Sequence, residues 1–143
     1  SAELIFDQGL GDIFSIRIAG NILNEDILGS MEFACKIAGS KLIVVLGHTN
    51  CGAIIGACDD IKLGHLTILV NKIKPSIEIE TETESDRNGK NIKFVENVSV
   101  NNVKLTVEGI RRRSPILSEM EREKKIKIIG GMYDVETGIV KFL

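Results

Sequence analysis

Residues 41–46 (Lys-Leu-Ile-Val-Val-Leu) form a nearly unbroken apolar run, and that run empties into Gly47-His48-Thr49-Asn50-Cys51-Gly52. A run without polar alternation reads as a strand covered on both faces, the usual state of a strand in a parallel sheet. Helix is expected next, from about Cys51 to Cys58. A buried strand that ends in a short loop and opens a helix restricts the chain to the α/β class. In open α/β sheets, ligand sites favour the carboxyl end of such a strand.

The flanking sequence supplies the other layers. Residues 13–18 (Ile-Phe-Ser-Ile-Arg-Ile) alternate well enough to predict a strand, with Phe14, Ile16 and Ile18 on one face and Ser15 and Arg17 on the other. Gly20-Asn21 would end it. Asn24 is a helix N-cap candidate, with Glu25 and Asp26 acidic in the first turn. Ile27, Met31, Ala34, Cys35 and Ala38 recur at helical spacing, and Gly39 is a fitting stop. A further short helix is expected from His65 to Ile73. Residues 78–91 are polar and aperiodic and read as a solvated connection. Val95, Val98, Val103, Val107 and Ile110 predict a long amphipathic helix over 92–113. Arg111, Arg112 and Arg113 fall at its carboxyl end, where cations suit the helix dipole. Pro115 marks its end. Residues 126–133 predict a strand, and Thr137-Gly138 turn into a last short strand, Ile139–Phe142. The alternation implies one α/β domain over residues 1–143, with a mostly parallel sheet flanked by helices.

Composition removes several function classes. The 143 residues carry a net charge of −2, which gives no electrostatic case for nucleic acid. No run approaches the ~18 apolar residues of a membrane span. Three cysteines, an odd number, argue against a disulfide framework and for a reducing, cytoplasmic setting. With no tryptophan and one tyrosine, an aromatic recognition platform is not expected.

His48 and Cys51 carry the chemistry. An imidazole and a thiolate three residues apart can bind one zinc, and a helix N-terminus helps hold the cysteine as thiolate. Gly52 lets the backbone pass close to a ligand. Two ligands do not make a zinc site, which needs three or four. Spacing alone leaves open a loop histidine beside a buried cysteine. Cys58 cannot join Cys51 on one metal: seven residues of helix span about 10 Å, against zinc–sulfur bonds of ~2.3 Å. Cys58 and Cys35 are read as small buried apolar residues, and His65 as solvent-facing or capping.

The stretch 47–53 (Gly-His-Thr-Asn-Cys-Gly-Ala) resembles the His-x-x-Cys-Gly zinc motif of β-class carbonic anhydrases. Residues 3–21 resemble the segment that follows the family's first zinc cysteine. Residues 102–117 resemble its later helix, and residues 130–143 its closing strands. The resemblance implies zinc held by two cysteines and one histidine, with a metal-bound hydroxide that hydrates carbon dioxide to bicarbonate. His48 and Cys51 match the second and third ligands. Gly52 matches the glycine whose backbone lies beside the substrate, and Phe14 and Ala19 match apolar positions of the substrate pocket. Arg17 matches an arginine that helps hold a non-catalytic bicarbonate in some members; a strand arginine paired with a surface carboxylate is the plainer reading. A homodimer or higher oligomer is implied as well.

The family's first ligand belongs to a Cys-x-Asp-Ser-Arg motif just upstream of the region matched by residues 2–7. The chain starts at Ser1, so that cysteine, the aspartate–arginine pair and the first central strand that carries them are expected to be missing. No catalytic residue is then assigned in this chain. Low zinc occupancy and little or no activity follow as expectations. So does an unpaired edge on the strands at 13–18 and 41–46, which would pair with each other, pair with another chain, or be disordered. The alternative is a non-catalytic binding or regulatory module of the same fold. A thiol protein using Cys51 is weaker, because no second cysteine stands at Cys-x-x-Cys spacing.

Overall fold

In the computed structural model, which describes residues 1–143, helix α1 (Ala2–Ile5) leads into a long irregular segment. Residues 13–18 belong to no sheet. This corrects the strand expected there. Alternation makes a segment fit to be a strand, but a strand exists only where a neighbour supplies the hydrogen-bond ladder, and none does. Phe14 instead sets its ring 6.1 Å from that of Phe33. A 3-10 turn over Ala19–Asn21 follows, with Gly20 and Asn21 both at positive φ.

Asn24 caps α2 (Glu25–Glu32), its Oδ1 accepting from the Ile27 N–H at 2.8 Å. The helix widens into one π turn over Phe33–Ile37, and Gly39 (φ 85°) turns the chain out of it. Strand β1 (Leu42–His48) then runs parallel to β2 (Lys127–Tyr133), which pairs antiparallel with β3 (Val140–Phe142). The sheet is therefore short and mixed, in the order β1-β2-β3. Between β1 and β2 lie α3 (Gly52–Cys58), α4 (Gly64–Asn71), α5 (Lys74–Glu78), α6 (Ile92–Arg113) and α7 (Pro115–Arg122). Pro115 does end α6, but it also occupies the first turn of α7, where its missing N–H costs nothing; Ser114 caps that helix. No helix is long and apolar enough to cross a membrane.

Helix α6 is the spine. Val95, Val98, Val103, Val107 and Ile110 are all buried, as their spacing predicts. On one side Val103, Val107 and Ile110 join Val45, Ile128 and Met132 of the sheet, with residues of α2 and α7. On the other, Phe94, Val95 and Val98 meet Ile54, Val70 and Ile73. Val103 sits against two strand glycines. A Cβ on Gly47 would lie 2.6 Å from Val103 Cγ2, and one on Gly130 2.7 Å from its Cγ1. The sheet is covered by α6 on that face only. Leu42, on the opposite face, is 52% exposed, and Val44 and Leu46 are only partly buried. So β1 is not covered on both faces, and its outer edge carries no strand; residues 13–18 do not pair with it.

The connection over 78–91 is mostly exposed, with one exception. The Glu80 carboxylate is buried and accepts from Arg87 (2.7 Å), Asn97 Nδ2 (3.1 Å), Thr83 Oγ1 (3.2 Å) and the Glu82 N–H (3.1 Å). Burial pushes its pKa up; the donors outweigh that and hold it below the usual carboxylate range. Arg87 also lies 4.8 Å over the Phe94 ring. A second ion pair ties α6 and α7 to β2. Arg111 donates to both Glu121 oxygens (2.6 and 3.1 Å) and to the Ile128 carbonyl (2.9 Å), and Glu121 accepts the Ile128 N–H at 2.8 Å.

Gly130→Ala is expected to destabilise the chain by about 1–3 kcal/mol through overpacking. The penalty should shrink in a Val103→Ala background, because the methyl it meets is gone; a double-mutant cycle by urea unfolding measures this. Glu121 is held below its usual pKa first by the Arg111 hydrogen bond. Its contribution is thus full above the unfolded value of ~4.3 and lost as pH falls through the lower folded value. Glu121→Gln should cost about 1–2 kcal/mol at pH 7. That gap from the parent chain should narrow once pH drops under the unfolded value of ~4.3 and close as it falls through the lower folded one, in the same unfolding assay.

Candidate functional site

Strand β1 delivers His48 as its last residue, and one two-residue turn, Thr49-Asn50, leads to Cys51. The Thr49 N–H extends the parallel ladder to the Tyr133 carbonyl (3.0 Å), and Thr49 Oγ1 accepts the Val135 N–H (3.0 Å). Asn50 takes a left-handed φ of 54° to reverse the chain. Cys51 then occupies the cap position of α3 and is 8% exposed. The exposed His48 ring sets Nδ1 2.8 Å from the Thr49 carbonyl oxygen. A carbonyl can only accept, so Nδ1 carries a proton, and in the neutral ring the lone pair falls on Nε2. That tautomer suits Nε2 to a metal, the backbone carbonyl fixing the ring from behind.

His48 and Cys51 line one small cavity of about 10 Å³, room for about one water. The facing wall comes from the Gly20-Asn21 turn and from Ser99 and Asn102 of α6. Side-chain hydrogen bonds lock that wall. Asn21 Nδ2 donates to the Leu46 carbonyl (2.9 Å), and Thr106 Oγ1 donates to the Asn21 carbonyl (2.8 Å). Asn102 donates to the Gly20 carbonyl, while its Oδ1 accepts from Ser76 Oγ at 3.1 Å. Ser99 Oγ is buried without a partner, the one such side-chain atom in the chain, and a bound water would satisfy it. None of Ser99, Asn102 and Thr106 was singled out by sequence. The signal was present: they recur at helical spacing among the apolar positions of α6, and all three are buried.

Other candidates fall elsewhere. Gly52 and Ala19 are exposed at the mouth elements, α3 and the 3-10 turn. Phe14 is 45% exposed against Phe33 and does not line the cavity. Arg17 is exposed and makes no ion pair, so the surface carboxylate expected for it is missing too. His65 is exposed. Cys35 is buried, and burial pushes its thiol pKa up. Burial, then the Asp59 charge, pushes half-buried Cys58 up to about 11. Both are thus poor thiolates, in line with small apolar packing.

His48 and Cys51 are the right donor types for zinc. Yet no group of three His, Cys, Asp or Glu side chains comes together anywhere in the chain. Two donors fall short of the three or four that zinc takes, so the residues of this chain do not by themselves complete a zinc site.

Comparison with known proteins places this geometry. The family pattern described as carbonic anhydrase matches residues 1–140. The chain is 35% identical over 143 aligned residues to carbonic anhydrase 2 of Mycobacterium tuberculosis; the match covers 96% of the chain and 66% of that protein. The chain thus spans about two-thirds of that relative's length. The fold superposes on a β-carbonic anhydrase of Aspergillus fumigatus with a TM-score of 0.86 at 22% identity, covering 100% of this chain and 69% of the other. A tetrameric β-carbonic anhydrase of Sordaria macrospora gives 0.85 at 22% identity, covering 100% and 74%. The pattern match over nearly every residue and the shared fold together establish that this chain belongs to the β-class carbonic anhydrase family.

Proposed function

We propose that this chain carries the His48–Cys51 part of a carbonic anhydrase centre, and that the 143 residues alone hydrate carbon dioxide weakly or not at all. The observation that carries the reading is the donor set. A cysteine and a correctly poised imidazole line one cavity at the end of a strand, and no third donor stands with them. Zinc, when bound in a complete site, supplies a hydroxide at neutral pH. The chain's own residues act around that position. Thr49 O holds the His48 ring, Cys51 offers its sulfur from the start of α3, and the Asn21–Asn102 wall closes the opposite side. Gly52, Ala19 and Phe14 remain the residues we assign to the carbon dioxide and bicarbonate side, on family resemblance, and Arg17 to a second bicarbonate. Assembly into a homodimer or larger oligomer is part of the reading. The named tetrameric relative supports it. A cytoplasmic location fits three free cysteines.

Elemental analysis of the purified chain, after dialysis against a weak chelator, is expected to find far less than one zinc per chain. Stopped-flow hydration of carbon dioxide should run close to the buffer rate, and Cys51→Ser or His48→Ala should remove whatever zinc and rate remain. One zinc per chain with robust turnover would overturn the proposal.

A further inference from the structure

A groove of about 430 Å³ shares Asn102 with the small cavity beside His48 and Cys51, neither of which lines it. That volume lies in the range of small-molecule sites, whereas the cavity beside His48 holds about one water. Three cations line it: Lys72 just after α4, and Arg112 and Arg113 from the last turn of α6. None of the three has a carboxylate partner, and no acidic side chain lines the groove. The adjacent Arg111, by contrast, is spent on Glu121. Lys72 Nζ and Arg113 Nη1 converge on a single neutral acceptor, the Leu23 carbonyl, at 3.4 and 3.5 Å. Both contacts are long, so each cation keeps donors free. In a chain of net charge −2, three unpaired cations around one concavity form a local positive site.

The rest of the lining says what kind of anion fits. Ser76, Asn102 and Thr106 are buried there, but their donors are committed to protein oxygens. An anion would therefore be held at the cationic rim. Exposed Pro75 and half-buried Leu105, over the edges of the buried Ile22 and Leu23, give the groove apolar surface that a bare inorganic ion leaves unused. Arginine forks match the paired oxygens of phosphate. We propose that this groove binds a small organic phosphate, its phosphoryl oxygens held by Lys72, Arg112 and Arg113 and its carbon part laid on Pro75 and Leu105. The site is separate from the His48–Cys51 cavity and does not depend on the carbonic anhydrase reading.

Titration calorimetry on the 143-residue chain tests it, with phenyl phosphate and inorganic phosphate as probes at fixed ionic strength. Phenyl phosphate is expected to bind saturably, with inorganic phosphate several-fold weaker. Lys72→Ala, and separately the pair Arg112→Ala and Arg113→Ala, should each weaken phenyl phosphate by about tenfold or more. Lys62→Ala, which removes an exposed cation outside the groove, should change nothing. Absence of saturable binding at millimolar phenyl phosphate overturns the site. So does equal loss in Lys62→Ala, which would mean diffuse charge attraction, or unchanged binding in the groove variants. Equal affinity for both probes overturns the organic part of the assignment.

Discussion

The contact between Val103 and the two glycines beneath it sets most of this structure. With no side chain at Gly47 or Gly130, α6 comes down onto β1 and β2 until its valine methyls fill the space where two Cβ atoms would stand. That depth fixes the helix axis, and the helix axis fixes everything its other faces carry. One turn on either side of Val103, the polar residues Ser99 and Thr106 are held against the Gly20-Asn21 region, with Asn102 between them. Asn21 in turn reaches back to the Leu46 carbonyl of β1. The loop, the helix and the strand that ends in His48 therefore form one closed circuit of packing and hydrogen bonds.

Local signals in the sequence translated well into local structure. Asn24 caps where a short polar side chain before an acidic turn should cap, Gly39 ends its helix, and the valine spacing over 92–113 became a helix of those bounds. What failed depended on partners rather than on the segment itself. Residues 13–18 alternate like a strand, yet no ladder forms on them. The run at 41–46 is apolar like a strand buried on both faces, yet α6 covers only one. Pro115 was legible as a stop but not as a start, because proline satisfies both roles at once. Glu80 shows the same limit: an aperiodic charged stretch gives no hint that one of its carboxylates will be buried and ringed by four donors.

The site divides along the same line. His48 and Cys51 could be picked from sequence because their spacing and their position after a strand are local facts. The wall opposite them could not, since it is assembled from residues about 30 positions upstream and about 50 downstream. Polar residues inside an apolar helix stripe were its only trace. They are affordable there because nearly every donor and acceptor among them has found a partner, the exception being Ser99.

The outer edge of β1 gives this chain a second kind of chemistry, one written in the main chain. Strand addition draws its affinity from backbone amides and carbonyls, which every sequence possesses. Between Lys41 and His48 the strand carries no charge, no proline and no bulge, but Asn21 Nδ2 already occupies the Leu46 carbonyl at its upper end. Discrimination must then come from side chains beside the edge, such as Leu42 and its half-covered neighbours on the open face. At an edge of this kind main-chain geometry limits alignment first, and the fit of side chains limits it second.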